Sequence, residues 1–237
     1  MNYKIALIRG DGIGPEVVSE ALKVMEAIGE KFGHTFTYTD VLMGGCAIDE
    51  VGKSYPDGTA EACKACDAVL LGAVGGPKWG HASDPEKRPE TALLSIRKDL
   101  GLYANLRPAT LRPAMADACP LKKETAEKGI DLMMVRELTG GIYFGKRERY
   151  QTEDRGEEAA DRMAYSQREI ERIGRRAFEL ARLRRGKVSS VDKANVLETS
   201  RLWRSVMHRL AEEYSDVEYE DVLVDNADMQ LVRDPAQ

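Results

Sequence analysis

Three arginines are spaced so that they could do chemistry together: Arg97 in LLSIRKDLG, Arg107 in YANLRPA and Arg136 in MMVRELTGG. A guanidinium is a planar fork of donors that matches a carboxylate at two points, so three of them could grip a small dicarboxylate from several sides. Taken singly, each also reads as an ordinary surface residue. The other reactive residue types point away from rival chemistries. His34, His81 and His208 are far apart, with no HExxH spacing and no GxSxG nearby, which argues against hydrolysis by a zinc water or by a serine nucleophile. Cys63 and Cys66 form a CxxC inside GTAEACKACDAVLL, within a helix rather than at the strand-to-helix turn that activates a redox thiol, and they read as small packing residues. GDGIGPE at 10–16 gives GxGxG rather than GxGxxG, and Pro15 removes a backbone donor where a pyrophosphate would need one. By itself that stretch is a tight turn.

Positioning such residues takes an alternation of strands and helices. The segment 4–9 (KIALIR) predicts a buried strand, and 15–32 places Val17, Val18, Ala21, Leu22, Met25 and Ile28 at helical spacing, between Pro15 at the start and Gly33 at the stop. Strands are expected at 36–43, 68–74, 131–136, 188–191 and 217–224, and helices at 59–66, 90–99, 121–128, 166–185 and 196–214. Ser166 and Glu169 form a capping box. The loop 75–89 (GGPKWGHASDPEKRP) is long enough to suspect of function. In 138–166, GGIYFGKRERY and RMAYS have strand character around the polar TEDRGEEAAD, which predicts a projecting hairpin that pairs with something else. Pro108 and Pro113 mark a domain crossing, giving a first domain at 1–107 and a second at 108–237 with its arm at about 138–166. The order of elements is that of an α/β fold.

Composition adds limits. The 237 residues carry 35 Lys and Arg against 40 Asp and Glu, and 43% are hydrophobic, enough for a sizeable core with no electrostatic case for a nucleic-acid partner. The cluster Arg182, Arg184, Arg185 and Lys187 fits favourable charge at a helix C-terminus. Four cysteines make no disulfide framework, and no apolar run approaches a membrane span, so the expected setting is the cytoplasm.

GDGIGPEV, LLGAVGGPKW, RPETALLSIRK, YANLRP, VRELTGGIYFG, SVDKANVLE and VDNADMQLVRDP, in that order over residues 4–235, resemble the successive motifs of the β-decarboxylating dehydrogenases, the isocitrate and isopropylmalate family. The resemblance implies two α/β domains sharing a large mixed sheet, with a projecting β-arm and no Rossmann site. It implies NAD-dependent oxidative decarboxylation of a substituted malate assisted by Mg2+ or Mn2+. Arg97, Arg107 and Arg136 would bind the malate carboxylates, Tyr143 and Lys193 would be the catalytic pair, and Asp225 would be a metal ligand that also meets the substrate. Gly75, Gly76, Pro77, Lys78, Trp79, Glu90 and Asn195 would face the cofactor. Family isocitrate enzymes place Ser and Asn on the turn before the substrate arginine, whereas this chain has Thr91, Leu93 and Leu94. Leucines favour an isopropyl group and penalise an unpaired carboxylate, which points to 3-isopropylmalate and leucine biosynthesis. The resemblance further implies a homodimer with shared active sites, in which Lys193 and Asp225 reach the neighbouring site.

Family members continue past LVRDPAQ into a segment with further metal-binding aspartates and a loop that selects NAD over NADP. The expectation is therefore a C-terminally truncated chain, inactive or barely active alone. Two alternatives stand beside it: a tartrate, D-malate or homoisocitrate-type enzyme, or a non-catalytic partner subunit.

Overall fold

The computed structural model describes residues 1–80 and 84–236, so His81 and part of the loop at 75–89 lie outside the described residues. The chain divides into two compact units, Met1–Leu102 and Tyr103–Gln237.

In the first unit the parallel order is β2-β1-β3, with β1 at Asn2–Gly10, β2 at Thr35–Asp40 and β3 at Ala68–Ala73. Ile5, Ala6, Leu7 and Ile8 are all buried, as expected of a central strand covered on both faces. Helix α1 (Gly14–Phe32) starts at a proline turn and stops at Gly33 in the left-handed conformation. Of its predicted apolar positions Val18 is buried, whereas Val17 and Ile28 are exposed. The turn between β1 and α1 explains its glycines. A Cβ on Gly10 would sit 1.9 Å from the Ala73 carbonyl oxygen, so only glycine lets β1 and β3 close up there. Helix α2 (Gly45–Val51), which the sequence pattern did not reveal, is followed by α3 (Thr59–Lys64) and α4 (Pro89–Asp99). Met43, Cys63, Ala92 and Ile96 pack with Ala6 and Ile8, and Cys63 is thus the small hydrophobe expected.

In the second unit β4 (Ala104–Leu111) pairs antiparallel with β5 (Ile130–Glu137), and β8 (Lys187–Asp192) pairs parallel with β9 (Glu218–Leu223). The hairpin strands β6 (Arg147–Thr152) and β7 (Gly156–Asp161) stand almost wholly exposed. Helix α5 is short (Lys123–Ala126), and α6 (Gln167–Arg182), α7 (Glu198–Glu213) and α8 (Val224–Arg233) complete the unit. The core forms where α6 and α7 meet over β8, around Ile170, Phe178, Val206, Met207 and Leu210, with Phe178 stacked 4.9 Å from Tyr214. The capping box of Ser166 and Glu169 forms as the sequence predicts. The basic cluster is neutralised by neighbours: Arg182 pairs with Asp216, Arg184 with Asp131, and Lys187 with Glu218 and Glu220. These arginines hold the carboxyls of Asp216 and Asp131 below the usual carboxylate range.

Among the described residues the strands form four small sheets, two parallel and two antiparallel, in keeping with the mixed α/β character expected. Three expectations are corrected. The crossing predicted at Pro108 falls inside β4, where Pro108 lies opposite Met133; a two-stranded sheet leaves β4 an edge on which the missing N–H costs no ladder bond, so the units divide earlier, after Leu102. The polar GEEAAD is itself a hairpin strand while GGIYFG is a turn, because a two-sided exposed ribbon requires no apolar face. The helix predicted at 121–128 shortens to one turn, with its carbonyls closed by Gly129.

Candidate active site

Burying a carboxylate is costly unless hydrogen bonds or a counter-charge compensate it. Asp11, Glu137 and Asp192 are buried, at 4%, 6% and 7% exposure, and each ends or directly follows a strand. Asp11 follows β1 and accepts from the backbone N–H groups of Gly45 (2.7 Å), Cys46 (2.6 Å) and Gly75 (2.8 Å). Burial and the Asp11 charge together push the Cys46 thiol above its ordinary range. Glu137 ends β5, accepts from the N–H of Gly140 at 2.6 Å, and is met by the Arg172 guanidinium from α6. Arg172 also donates to the Thr139 hydroxyl (2.7 Å) and lies over the Tyr103 ring. Asp192 ends β8, accepts from the N–H of Ala194 (2.9 Å), and is gripped by both forks of Arg204 (2.9 and 2.8 Å). In each case a strand-end carboxylate collects the backbone of the turn that carries the candidate residues. This is the end of the strand at which α/β folds build their sites.

The turn organised by Glu137 leads to Tyr143, which is 53% exposed in a tight turn and has the Arg136 guanidinium 5.6 Å from its ring centroid. Burial, then the Glu137 charge, raises the hydroxyl of neighbouring Tyr165 above its usual range. On the β4–β5 ladder Arg136 lies directly opposite Asn105, and Arg107 is two residues further along the same face. Asn105 accepts from the Arg107 Nε at 2.6 Å, so two of the three predicted arginines share one surface, with Tyr143 beside one of them.

The turn organised by Asp192 carries Lys193, whose N–H donates to the Ser200 hydroxyl at 3.1 Å. Its ammonium meets the Asp225 carboxylate at 2.5 Å, and that contact holds the Asp225 carboxyl below the usual range. Asp225 is a first-turn residue of α8, and the residue preceding that helix is Leu223. Because β8 and β9 run parallel with Asp192 opposite Leu223, Lys193 and Asp225 emerge side by side at one sheet edge. Asn195 is exposed on the same turn. Among the described residues no hydrogen bond or ion pair joins Tyr143 to Lys193.

In the first unit Glu90, Leu94 and Arg97 recur on one face of α4, four and three residues apart, while Ala92 and Ile96 face the core. Leu93 and Leu94 stand four and three residues before Arg97 and so flank it on neighbouring turns, with Leu93 also packed against that core and Leu94 turned away from it. Beyond β3 the segment Gly75, Gly76, Pro77, Lys78 and Trp79 forms a 3-10 turn, with the Lys78 ammonium 2.6 Å from Asp49 and 5.1 Å from the Trp79 ring centroid. Two open clefts, of about 510 and 470 Å³, lie elsewhere in this unit, beside His34 and beside Tyr55.

The expected divalent cation fits these residues poorly. Among the described residues no three His, Cys, Asp or Glu side chains converge, and Asp225 is engaged by Lys193. Magnesium demands near-octahedral oxygen ligation, so one carboxylate does not make the site and no step is assigned to the ion.

The buried carboxylates escaped the sequence reading. Their signal was there, in acidic residues standing at the ends of apolar strands in RGDG, VREL and SVDK.

Comparison with known proteins identifies the family. The family model described as isocitrate/isopropylmalate dehydrogenase matches residues 4–237. The 3-isopropylmalate dehydrogenase of Oleidesulfovibrio alaskensis is 55% identical over all of this chain, and that of Moorella thermoacetica is 57% identical over 99% of it. The chain spans 66% and 65% of the length of these two curated relatives. The crystal structure of isocitrate dehydrogenase from Methylococcus capsulatus superposes with a TM-score of 0.80 at 33% identity, covering 98% of this chain and 64% of that one. The family match over residues 4–237, with relatives 55% and 57% identical over nearly the whole chain, places the chain in the isocitrate/isopropylmalate dehydrogenase family.

Proposed function

We propose that this chain contributes to NAD-dependent oxidative decarboxylation of 3-isopropylmalate to 2-oxo-4-methylpentanoate, a step of leucine biosynthesis. The observation that carries the substrate choice is Leu94, set on the face of α4 between Glu90 and Arg97. An isopropyl group against Leu94 is favourable, whereas a third carboxylate there would lose its hydration without a partner.

Arg97, Arg107 and Arg136 bind the malate carboxylates as forked, charge-assisted pairs. Lys193, held between the Asp192 turn and Asp225, takes the C2 hydroxyl proton as that carbon is oxidised. NAD, when bound, would supply the hydride acceptor for C2 of the substrate. The β-keto acid then breaks its bond to the C3 carboxylate as carbon dioxide, and Tyr143 returns a proton to C3 of the resulting enol. The turn at 75–79, with Pro77 and Lys78 exposed, and Glu90 supply the nicotinamide side, with Asn195 as a further cofactor contact. Mg2+ or Mn2+ belongs to the proposed reaction but needs ligands besides Asp225.

The partner is a second copy of this chain. A lone two-stranded ribbon is marginal in water, and β6–β7 offers its edges and the half-exposed Tyr150 for pairing. Lys193 and Asp225 would then serve the neighbouring site, as would befit a cytoplasmic homodimer. Among the described residues no helix is long and apolar enough to cross a membrane.

Turnover of a panel of 2-hydroxy diacids tests the reading, with the chain alone and with the chain joined to the part of the Oleidesulfovibrio alaskensis relative that it does not cover. The joined protein should prefer 3-isopropylmalate to isocitrate, tartrate and malate. Leu94→Ser should cut kcat/KM for 3-isopropylmalate by about 10- to 100-fold through lost apolar contact. Leu93→Ser should instead lower stability, because Leu93 packs on the core. Equal turnover of isocitrate, or no effect of Leu94→Ser, would overturn the substrate assignment.

A further inference from the structure

The proposed function assigns the 75–80 turn to the nicotinamide, yet that turn has little of its own to hold it in place. Its anchors come from Asp11, in the turn after β1, and from α2. Asp11 reaches the N–H of Gly75 with the same oxygen that accepts from Gly45, while its other oxygen accepts from Cys46, so one buried carboxylate ties the root of the turn to the start of α2. One turn further along α2, Asp49 accepts from the Lys78 ammonium at 2.6 Å and from the Trp79 indole N–H at 3.3 Å. Between these anchors the Trp79 ring lies flat over Gly45. A Cβ on that glycine would come within 2.5 Å of several ring atoms, so the seat exists only because residue 45 has no side chain. Ser54 extends the same scaffold, accepting from Gly44 N–H and donating its own N–H to the Glu86 carbonyl, which ties the far side of the segment to the start of α2.

We propose that Asp11, Gly45 and Asp49 form a latch that fixes the 75–80 turn from outside, with Asp11 and Asp49 as positioning residues that set the affinity for the nicotinamide half of NAD without touching the reacting atoms. The assignment to NAD rests on the proposed function; the latch itself does not. The three residues act as a unit because the turn is gripped at its root, its middle and its tip by a single seven-residue helix and the carboxylate beneath it. Losing either carboxylate frees the indole, and a turn without fixed shape costs ordering energy each time it binds a ligand.

The chain's two tryptophans make the latch observable, since Trp203→Phe leaves Trp79 as the single indole reporter. In that background Asp11→Asn, Asp49→Asn and Gly45→Ala should each raise acrylamide quenching of Trp79 fluorescence, with far-ultraviolet circular dichroism unchanged for the exposed Asp49→Asn. If Asp11→Asn fails to fold, Asp49→Asn and Gly45→Ala decide the matter. NAD titration of the same proteins should show half-saturation shifted upward by about 3- to 10-fold, the worth of one lost hydrogen bond. In the joined protein, Asp49→Asn should raise KM for NAD by a similar factor while kcat stays within about twofold, the signature of lost positioning rather than lost chemistry. Unchanged Trp79 quenching in both Asp49→Asn and Gly45→Ala would overturn the latch. A fluorescence signal that loosens in the variants but never responds to NAD would support the latch and remove the nicotinamide assignment instead.

Discussion

Lys193→Ala should lower kcat for 3-isopropylmalate oxidation by about 100- to 10,000-fold, the usual worth of a positioned proton acceptor, with a much smaller change in KM. Lys193 lies just past the end of β8, its backbone fixed by Ser200 and by the Asp192 turn, and its ammonium stands 2.5 Å from Asp225. Such a group can shuttle a proton only if it can lose one, which makes Lys193→Arg the sharper variant. Arginine keeps the charge opposite Asp225 but is not deprotonated in proteins, so it should remain nearly as inactive as alanine. Steady-state rates of NAD reduction by the joined protein check both. Wild-type kcat in Lys193→Arg would show that charge alone matters and would remove lysine from the proton path.

Arg172→Ala carries the largest expected cost to stability. The Glu137 side chain is 1% exposed, and the Arg172 guanidinium is its counter-charge from α6, while Gly140 N–H and the Thr139 hydroxyl fill its remaining acceptor positions. Removing one partner of a buried pair typically costs about 3–5 kcal/mol, because the other charge is left behind without compensation. For a chain of this size that is a fall in Tm of roughly 10 °C. Thermal unfolding followed by circular dichroism measures it. Glu137→Gln should cost less, since an amide oxygen can still accept from Gly140 and carries no charge to strand. Because the Glu137 turn leads to Tyr143, Arg172→Ala should also loosen that residue, the proposed proton donor. A Tm unchanged by Arg172→Ala would show that solvent already compensates Glu137.

Much of this architecture was legible from side-chain periodicity. The continuous apolar run in KIALIR could only be a strand covered on both faces, and the Ser166 and Glu169 pair announced the start of α6 three residues apart. What stayed hidden had physical reasons. Helix α2 is seven residues long, begins with glycine, and has no amphipathic pattern because it is fixed by Asp11 and Trp79 rather than by an apolar stripe. The hairpin strand GEEAAD has no buried face, so alternation gave no signal. Leu93 and Leu94 looked equivalent as letters, and only the 100° step around α4 turns Leu93 toward the core and Leu94 away from it. The buried carboxylates were invisible for a further reason: an acidic residue after a strand reads as a loop residue until the backbone N–H groups it gathers are known.

The proposed reaction is oxidation and decarboxylation of an isopropyl-bearing malate. The most direct measurement is the stoichiometry of a single reaction, in which the joined protein is given limiting 3-isopropylmalate and excess NAD, and NADH, carbon dioxide and 2-oxo-4-methylpentanoate are quantified together. One equivalent of each is expected per substrate consumed. NADH formed without carbon dioxide, or turnover of isocitrate where 3-isopropylmalate is left untouched, would contradict it.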